Sequence, residues 1–167
     1  MKFVFVLALF TATAFSEELR LPDGKTVEYR MVQDRQESAR AAALSIVRHL
    51  AAGEIEEAAL ASNAPRRRYE VLRDYRASVG EDAFKRVYAQ YLLPQNHVVA
   101  ELAVGPRRAI LWRLGDAGEH IAAQYFIQID GRFLMDDVPS EGRSALEKVV
   151  QDYRRRDGPA TSPARTD

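Results

Sequence analysis

Two side chains in the C-terminal half, Tyr125 and Asp136, could do proton-transfer chemistry together. Between them lies Asp130-Gly131, the pair that a two-residue type I′ hairpin loop favours because both central positions need positive φ. Such a loop sets Ile127 opposite Leu134 and Tyr125 opposite Asp136. A phenol and a carboxylate side by side on a buried face can serve one reacting centre as donor and acceptor, and burial raises a carboxyl pKa toward a useful range. A structural role is the alternative. Asp136 stands just before Asp137-Val138-Pro139, where a carboxylate at a strand end reaches solvent or caps the next segment. A buried tyrosine, for its part, needs only one hydrogen-bond partner.

Other chemistries find less support. His49, His97 and His120 never fall on one helical turn or on alternate positions of one strand, so the expectation is no metal and no cofactor. There is no cysteine, no Gly-rich phosphate loop and no Gly-x-Ser-x-Gly, and Ser45, Ser62 and Ser78 have no neighbouring base. The chain has 24 Lys and Arg against 24 Asp and Glu, a balance that argues against nucleic acid as a partner. Its basic clusters, Arg66-Arg67-Arg68 with Arg73 and Arg76, and Arg154-Arg155-Arg156, have Glu70, Asp74, Asp152 and Asp157 among them. They read as a solvated helix face or, more sharply, as a surface for an acidic partner.

The elements that position Tyr125 and Asp136 form a four-strand antiparallel meander from Val98 to Val138, cut by turns at Gly105-Pro106-Arg107, Gly115 to Gly118 and Asp130-Gly131. Loops of three and four residues at the first two turns set Leu102 against Ile110 and Trp112 against Ile121. Trp112, Tyr125 and Asp136 then share one face and make the candidate ligand pocket. Phe126, Phe133, Met135 and Leu111 fall on the other, half-polar face, an expected homodimer interface. Before the meander the apolar period is about 3.6. Ala39, Ala42, Ala43, Ile46, Val47 and Leu50 make one helical stripe, with Asp34 as N-cap and Gly53 as C′ residue. Helices over 54–61, 65–79 and 81–91 follow, and a last helix, capped by Ser140 or Ser144, runs to about Arg155. Tyr69, Tyr88, Tyr91 and Trp112 lie on apolar stripes and read as core.

At the N-terminus, Lys2, the apolar run Phe3 to Phe10 and Ala12-Thr13-Ala14 have the three parts of a secretory signal. The run is shorter than the ~20 residues a spanning helix needs, so no integral membrane segment is expected after cleavage. The expected organisation is a signal peptide over 1–16, a hairpin or arm over 17–33, one α+β domain over 34–156 and a disordered tail over 157–167. The compartment is the periplasm or the outside of the cell.

The stretch Ala41-Ala42-Ala43-Leu44-Ser45-Ile46-Val47-Arg48-His49-Leu50-Ala51-Ala52-Gly53-Glu54-Ile55-Glu56-Glu57-Ala58-Ala59-Leu60 resembles the opening helices of the nuclear-transport-factor-2-like, or ketosteroid-isomerase-like, superfamily. The resemblance covers about residues 34 to 138 and rests on a packing motif. It implies an α+β cone, with N-terminal helices packed on a curved antiparallel sheet and a pocket at the open end, often with a dimer across the outer sheet surface. A phenol and a carboxylate facing a pocket, as Tyr125 and Asp136 would, are the kinds of groups that isomerases of the superfamily use as oxyanion donor and proton-transfer base. The helical segment 65–91 and the terminal helix depart from the pattern and could fill or cover that pocket. The expected function is an exported, non-catalytic binding or protein-interaction module with a small ligand or an exported protein as partner. The alternative is a small-molecule binder or isomerase-like enzyme using Tyr125 and Asp136.

Overall fold

The alanine-rich stripe becomes helix α1, Arg40–Ala52, because Ala43, Ile46, Val47 and Leu50 recur at three- and four-residue spacing and are all buried. Gly53 ends it at φ 84°, a left-handed conformation suited to glycine, with its N–H on the Leu50 carbonyl and the Glu54 N–H on that of His49. In this computed structural model, which describes residues 16–36, 38–115 and 120–157, α1 starts later than the sequence suggests. Asp34 caps a local turn instead, its Oδ1 accepting the Gln36 N–H at 2.9 Å. The expected leader, apart from Ser16, and the expected tail, apart from Asp157, lie outside the described residues. After α1 come α2 (Ile55–Leu60), α3 (Pro65–Val79, with proline in its first turn) and α4 (Glu81–Ala89), the last running into a 3-10 turn at Gln90–Leu92. Helix α5 (Glu141–Asp157) closes the described chain, and Ser140 Oγ accepts the Arg143 N–H in its first turn. Among the described residues no helix is long and apolar enough to cross a membrane.

Six strands, β1 (Ser16–Arg20), β2 (Thr26–Met31), β3 (His97–Val104), β4 (Arg107–Leu114), β5 (His120–Ile129) and β6 (Arg132–Met135), form one antiparallel sheet in chain order. Asp130 and Gly131 both have positive φ, and Ile127 pairs with Leu134. The other two turns differ from expectation. Gly105, at φ 53°, takes the first central position of a two-residue loop with Pro106, so Leu102 pairs with Ala109 rather than Ile110. The β4–β5 connection holds five residues, 115–119, so Trp112 pairs with Ala122 rather than Ile121. A bulge at Val99 flips Val98 away from the face that carries Ala100 and Leu102.

Each one-residue shift exchanges faces, and the expected assignment changes with it. Trp112 lies with Ile110, Leu114, Phe126, Phe133 and Met135 against α1–α4. Tyr125 lies with Ala109, Leu111, Ile121 and Ala123 against α5. Both faces are therefore covered, the N-terminal helices on one and α5 on the other, and the fold is α+β with an open antiparallel sheet. The unbroken apolar run Ala109-Ile110-Leu111-Trp112 in β4 is the local signature of a strand buried on both sides. The expected homodimer interface is corrected accordingly. Phe126 and Leu111 are fully buried within their own chain, and Phe133 and Met135 pack on the helix-side core.

The free edges are managed by local devices. Strand β6 is covered by the α2–α3 connection, where Asn63 N–H bonds the Met135 carbonyl and the Met135 N–H bonds that of Ala61. Strand β1 carries Glu17, Glu18 and Arg20, charges that discourage pairing with another chain.

Candidate functional site

Asp136 sits where the Asp130-Gly131 register places it, its N–H on the Tyr125 carbonyl at 2.9 Å. Its carboxylate is almost completely buried and both oxygens are engaged: Asn63 Nδ2 donates to Oδ1 and Arg107 Nε to Oδ2, each at 2.9 Å. Arg107 also donates to Ser140 Oγ at 3.0 Å. Its guanidinium passes Gly142 where a Cβ would lie 2.5 Å from Nη1, so the second residue of α5 is small for a packing reason. The neighbouring Asp137 accepts from Ser62 Oγ (2.6 Å) and from both Arg68 Nε (2.8 Å) and Arg68 Nη2, while its N–H donates to Asn63 Oδ1 at 2.8 Å. Two buried or half-buried carboxylates thus bind the α2–α3 connection, the end of β6 and the start of α5 into one knot. Buried charges with every acceptor filled belong to the pattern of structural ion pairs.

Tyr125 is held from the other side. The Arg143 guanidinium of α5 lies 3.3 Å above its ring centroid, a cation–π contact. Burial raises the phenol pKa, and Arg143 and Arg154 pull it the other way. The adjoining pocket, about 200 Å³, is lined by Asp136, Asp137, Arg143, Ser144 and Glu147. Trp112 is not part of this region. It faces the helices, edge-on to Tyr91 at 5.4 Å, with its Nε1 donating to Gln124 Oε1 at 2.9 Å. The expected pocket trio is therefore split across the sheet. Phe84 and Tyr88 (4.9 Å between centroids) with Tyr75 and Tyr69 fill the space between the helices and the sheet as core.

Most arginines of the basic clusters are paired with acids or carbonyls of their own chain, and several of these pairs are exposed. Arg66 pairs with Glu70, Arg68 with Asp137 and Arg73 with Asp74, and Arg76 donates to the Gly53 carbonyl. On α5, Arg155 and Arg156 both reach Asp152, and Arg156 also donates to Tyr29 Oη. His49 Nδ1 lies 2.7 Å from Glu54 Oε2, and among the described residues no three acidic or histidine side chains converge on a metal position.

A larger opening lies elsewhere. A groove of about 580 Å³ runs between the β2–α1 connection, the first turns of α1 and the start of β3, with Met31, Leu44 and Val99 as apolar walls and Arg35 and Arg40 on its rim. That volume is within the range of small-molecule and peptide-side-chain sites. Its floor is Glu101, whose side chain is fully buried. Glu101 Oε1 accepts the Ala39 N–H at 2.8 Å and Oε2 the Ser38 hydroxyl at 2.5 Å, so a carboxylate from β3 neutralises the N-terminus of α1. Arg40 Nε stands 3.7 Å away, more loosely held. Sequence reading missed this arrangement: Glu101 appears there as one more polar residue of an alternating strand, and its partners are more than sixty residues away. Its one local trace is Ser38 just ahead of the helical stripe.

No family model matches the chain, and neither a curated protein nor a solved structure does.

Proposed function

We propose that this chain is an exported, non-catalytic α+β domain that acts as a binding module, with the groove over Glu101 as its binding site. The observation that carries this reading is the contrast between two regions. Tyr125 and Asp136 are occupied by Arg143, Arg107 and Asn63, whereas the groove offers exposed apolar side chains, Met31 among them at 38% exposure, beside two arginines. A general base needs an oxygen within reach of the proton it removes, and both oxygens of Asp136 already accept from chain donors. Export is supported by the three-part N-terminal pattern around Lys2, Phe3 to Phe10 and Ala12-Thr13-Ala14.

Native mass spectrometry of the mature chain, purified from its compartment without denaturant, tests the reading. A non-covalent adduct on the wild-type chain that is lost from Met31→Glu is the expected result. An adduct that survives Met31→Glu and is lost from Arg143→Ala would move the site to the Tyr125 side.

A further inference from the structure

The groove exists because the sheet has a gap. Strand β2 pairs with β3 only at Arg30–Ala103 and Met31–Leu102, and one further bond joins the Val32 N–H to the Glu101 carbonyl. The chain then turns away toward α1. Strand β3 extends back to His97 with β4 alone beside it, so among the described residues His97, Val98, Val99 and Ala100 have no strand on the β2 side. At about 3.3 Å per residue this unpaired edge is about 13 Å long, with its inner end, Ala100, buried. The groove meets this edge at Val99 and Ala100, with Met31 and Val32 at one end and Ala41 and Leu44 of α1 as the opposite wall.

We propose that this gap is a strand-addition site, in which an extended peptide segment of a partner protein continues the track that β2 leaves after Val32. Its main chain pairs with β3 over His97–Ala100, its apolar side chains pack on Met31, Leu44 and Val99, and a carboxylate meets Arg35 and Arg40. The proposal rests on the binding reading above and names its partner class. Two features select a peptide over an amphiphile. An open strand edge is a row of N–H and C=O groups that another backbone satisfies and a hydrocarbon chain does not. The rim charge selects acid: the Arg35 guanidinium has no hydrogen bond or ion pair among the described residues, and Arg40 is only 3.7 Å from a carboxylate already engaged by Ser38 and Ala39. Among the described residues Asp34 is the other acid lining the groove, and its Oδ1 accepts the Gln36 N–H. The bulge leaves Val99 without a partner on β4, and its side chain both packs against the α5-side core and lines the groove.

Titration of the mature chain with an eight-residue peptide of alternating valine and serine ending in glutamate provides the test, with amide hydrogen exchange as a second readout. The peptide is expected to bind, to slow exchange over residues 97–100, and to bind at least tenfold more weakly to Met31→Glu. Arg35→Ala, at an exposed position, should leave the fold intact and abolish the preference for this peptide over its glutamine-ended version. Equal binding by the fully N-methylated peptide, or binding with no change in exchange over 97–100, would overturn strand addition. Binding of dodecanoate in the groove with none of the peptide would overturn it too, while leaving the binding reading standing.

Discussion

Replacing Glu101 by alanine should uncouple α1 from the sheet. The buried carboxylate takes the Ala39 N–H and the Ser38 hydroxyl, so its removal strands a backbone donor on a fully buried residue at the helix start. An unsatisfied buried donor costs about 1–3 kcal/mol, and loss of a helix cap by itself about 1. Relief of the carboxylate's own desolvation offsets part of this, and Arg40 is exposed enough to be solvated alone. The net loss should be about 2–3 kcal/mol for Glu101→Ala. Glu101→Gln keeps an oxygen for the Ala39 N–H, presents an NH2 to which the Ser38 hydroxyl can turn as acceptor, and loses the charge at the helix terminus, a loss of about 1 kcal/mol. Urea unfolding of the chain measures both, and hydrogen exchange at residues 39–43 should quicken in the alanine variant beyond its global loss. A loss under about 0.5 kcal/mol for alanine, or a glutamine variant as damaged as the alanine one, would refute the capping account.

Other perturbations separate the observed fold from the face assignment that the turns alone suggest. Phe126→Glu should unfold the domain rather than dissociate a dimer, since a charge placed there is buried under α1–α4 at a cost of several kcal/mol; a folded variant by circular dichroism would contradict the register. Arg107→Met should cost about 3–5 kcal/mol by leaving Asp136 buried beside Asn63 alone, and adding Asp136→Asn should recover more than half of it in urea titrations. Tyr88, raised to about 12 by burial, keeps its proton in the folded chain above pH 10, where the unfolded chain begins to lose it. Its contribution is therefore intact below pH 10 and falls between pH 10 and 12, by about 2 kcal/mol, and Tyr88→Phe should flatten that part of the stability profile.

Local signals read well where the backbone leaves little choice. Asp130-Gly131 demands positive φ at both positions, Gly53 a left-handed helix end and Pro65 a first helical turn, and each is found where the sequence places it. The β4 register resisted reading because Gly105-Pro106-Arg107 is compatible with a two- or a three-residue loop, and the difference exchanges the two faces of β4 relative to β3. The longer β4–β5 loop shifts by one residue again and returns β5 to the expected side, so Tyr125 stays with Leu102 while Trp112 does not. A strand apolar on both sides, such as Ala109 to Trp112, gives no alternation to expose the error. The candidate site was hidden for another reason. Glu101 meets Ser38 and Ala39 only in three dimensions, and the gap beside β3 comes from where β2 stops, a property of the sheet and not of any residue in it.

Hydrogen exchange mapped residue by residue on the chain with and without the valine–serine peptide ending in glutamate tests the proposed location of the binding site most directly. Protection confined to the segments around Met31–Arg35, Arg40–Leu44 and His97–Glu101 is the predicted result. Protection centred instead on Tyr125, Asp136 and Arg143, with the groove unchanged, would contradict it.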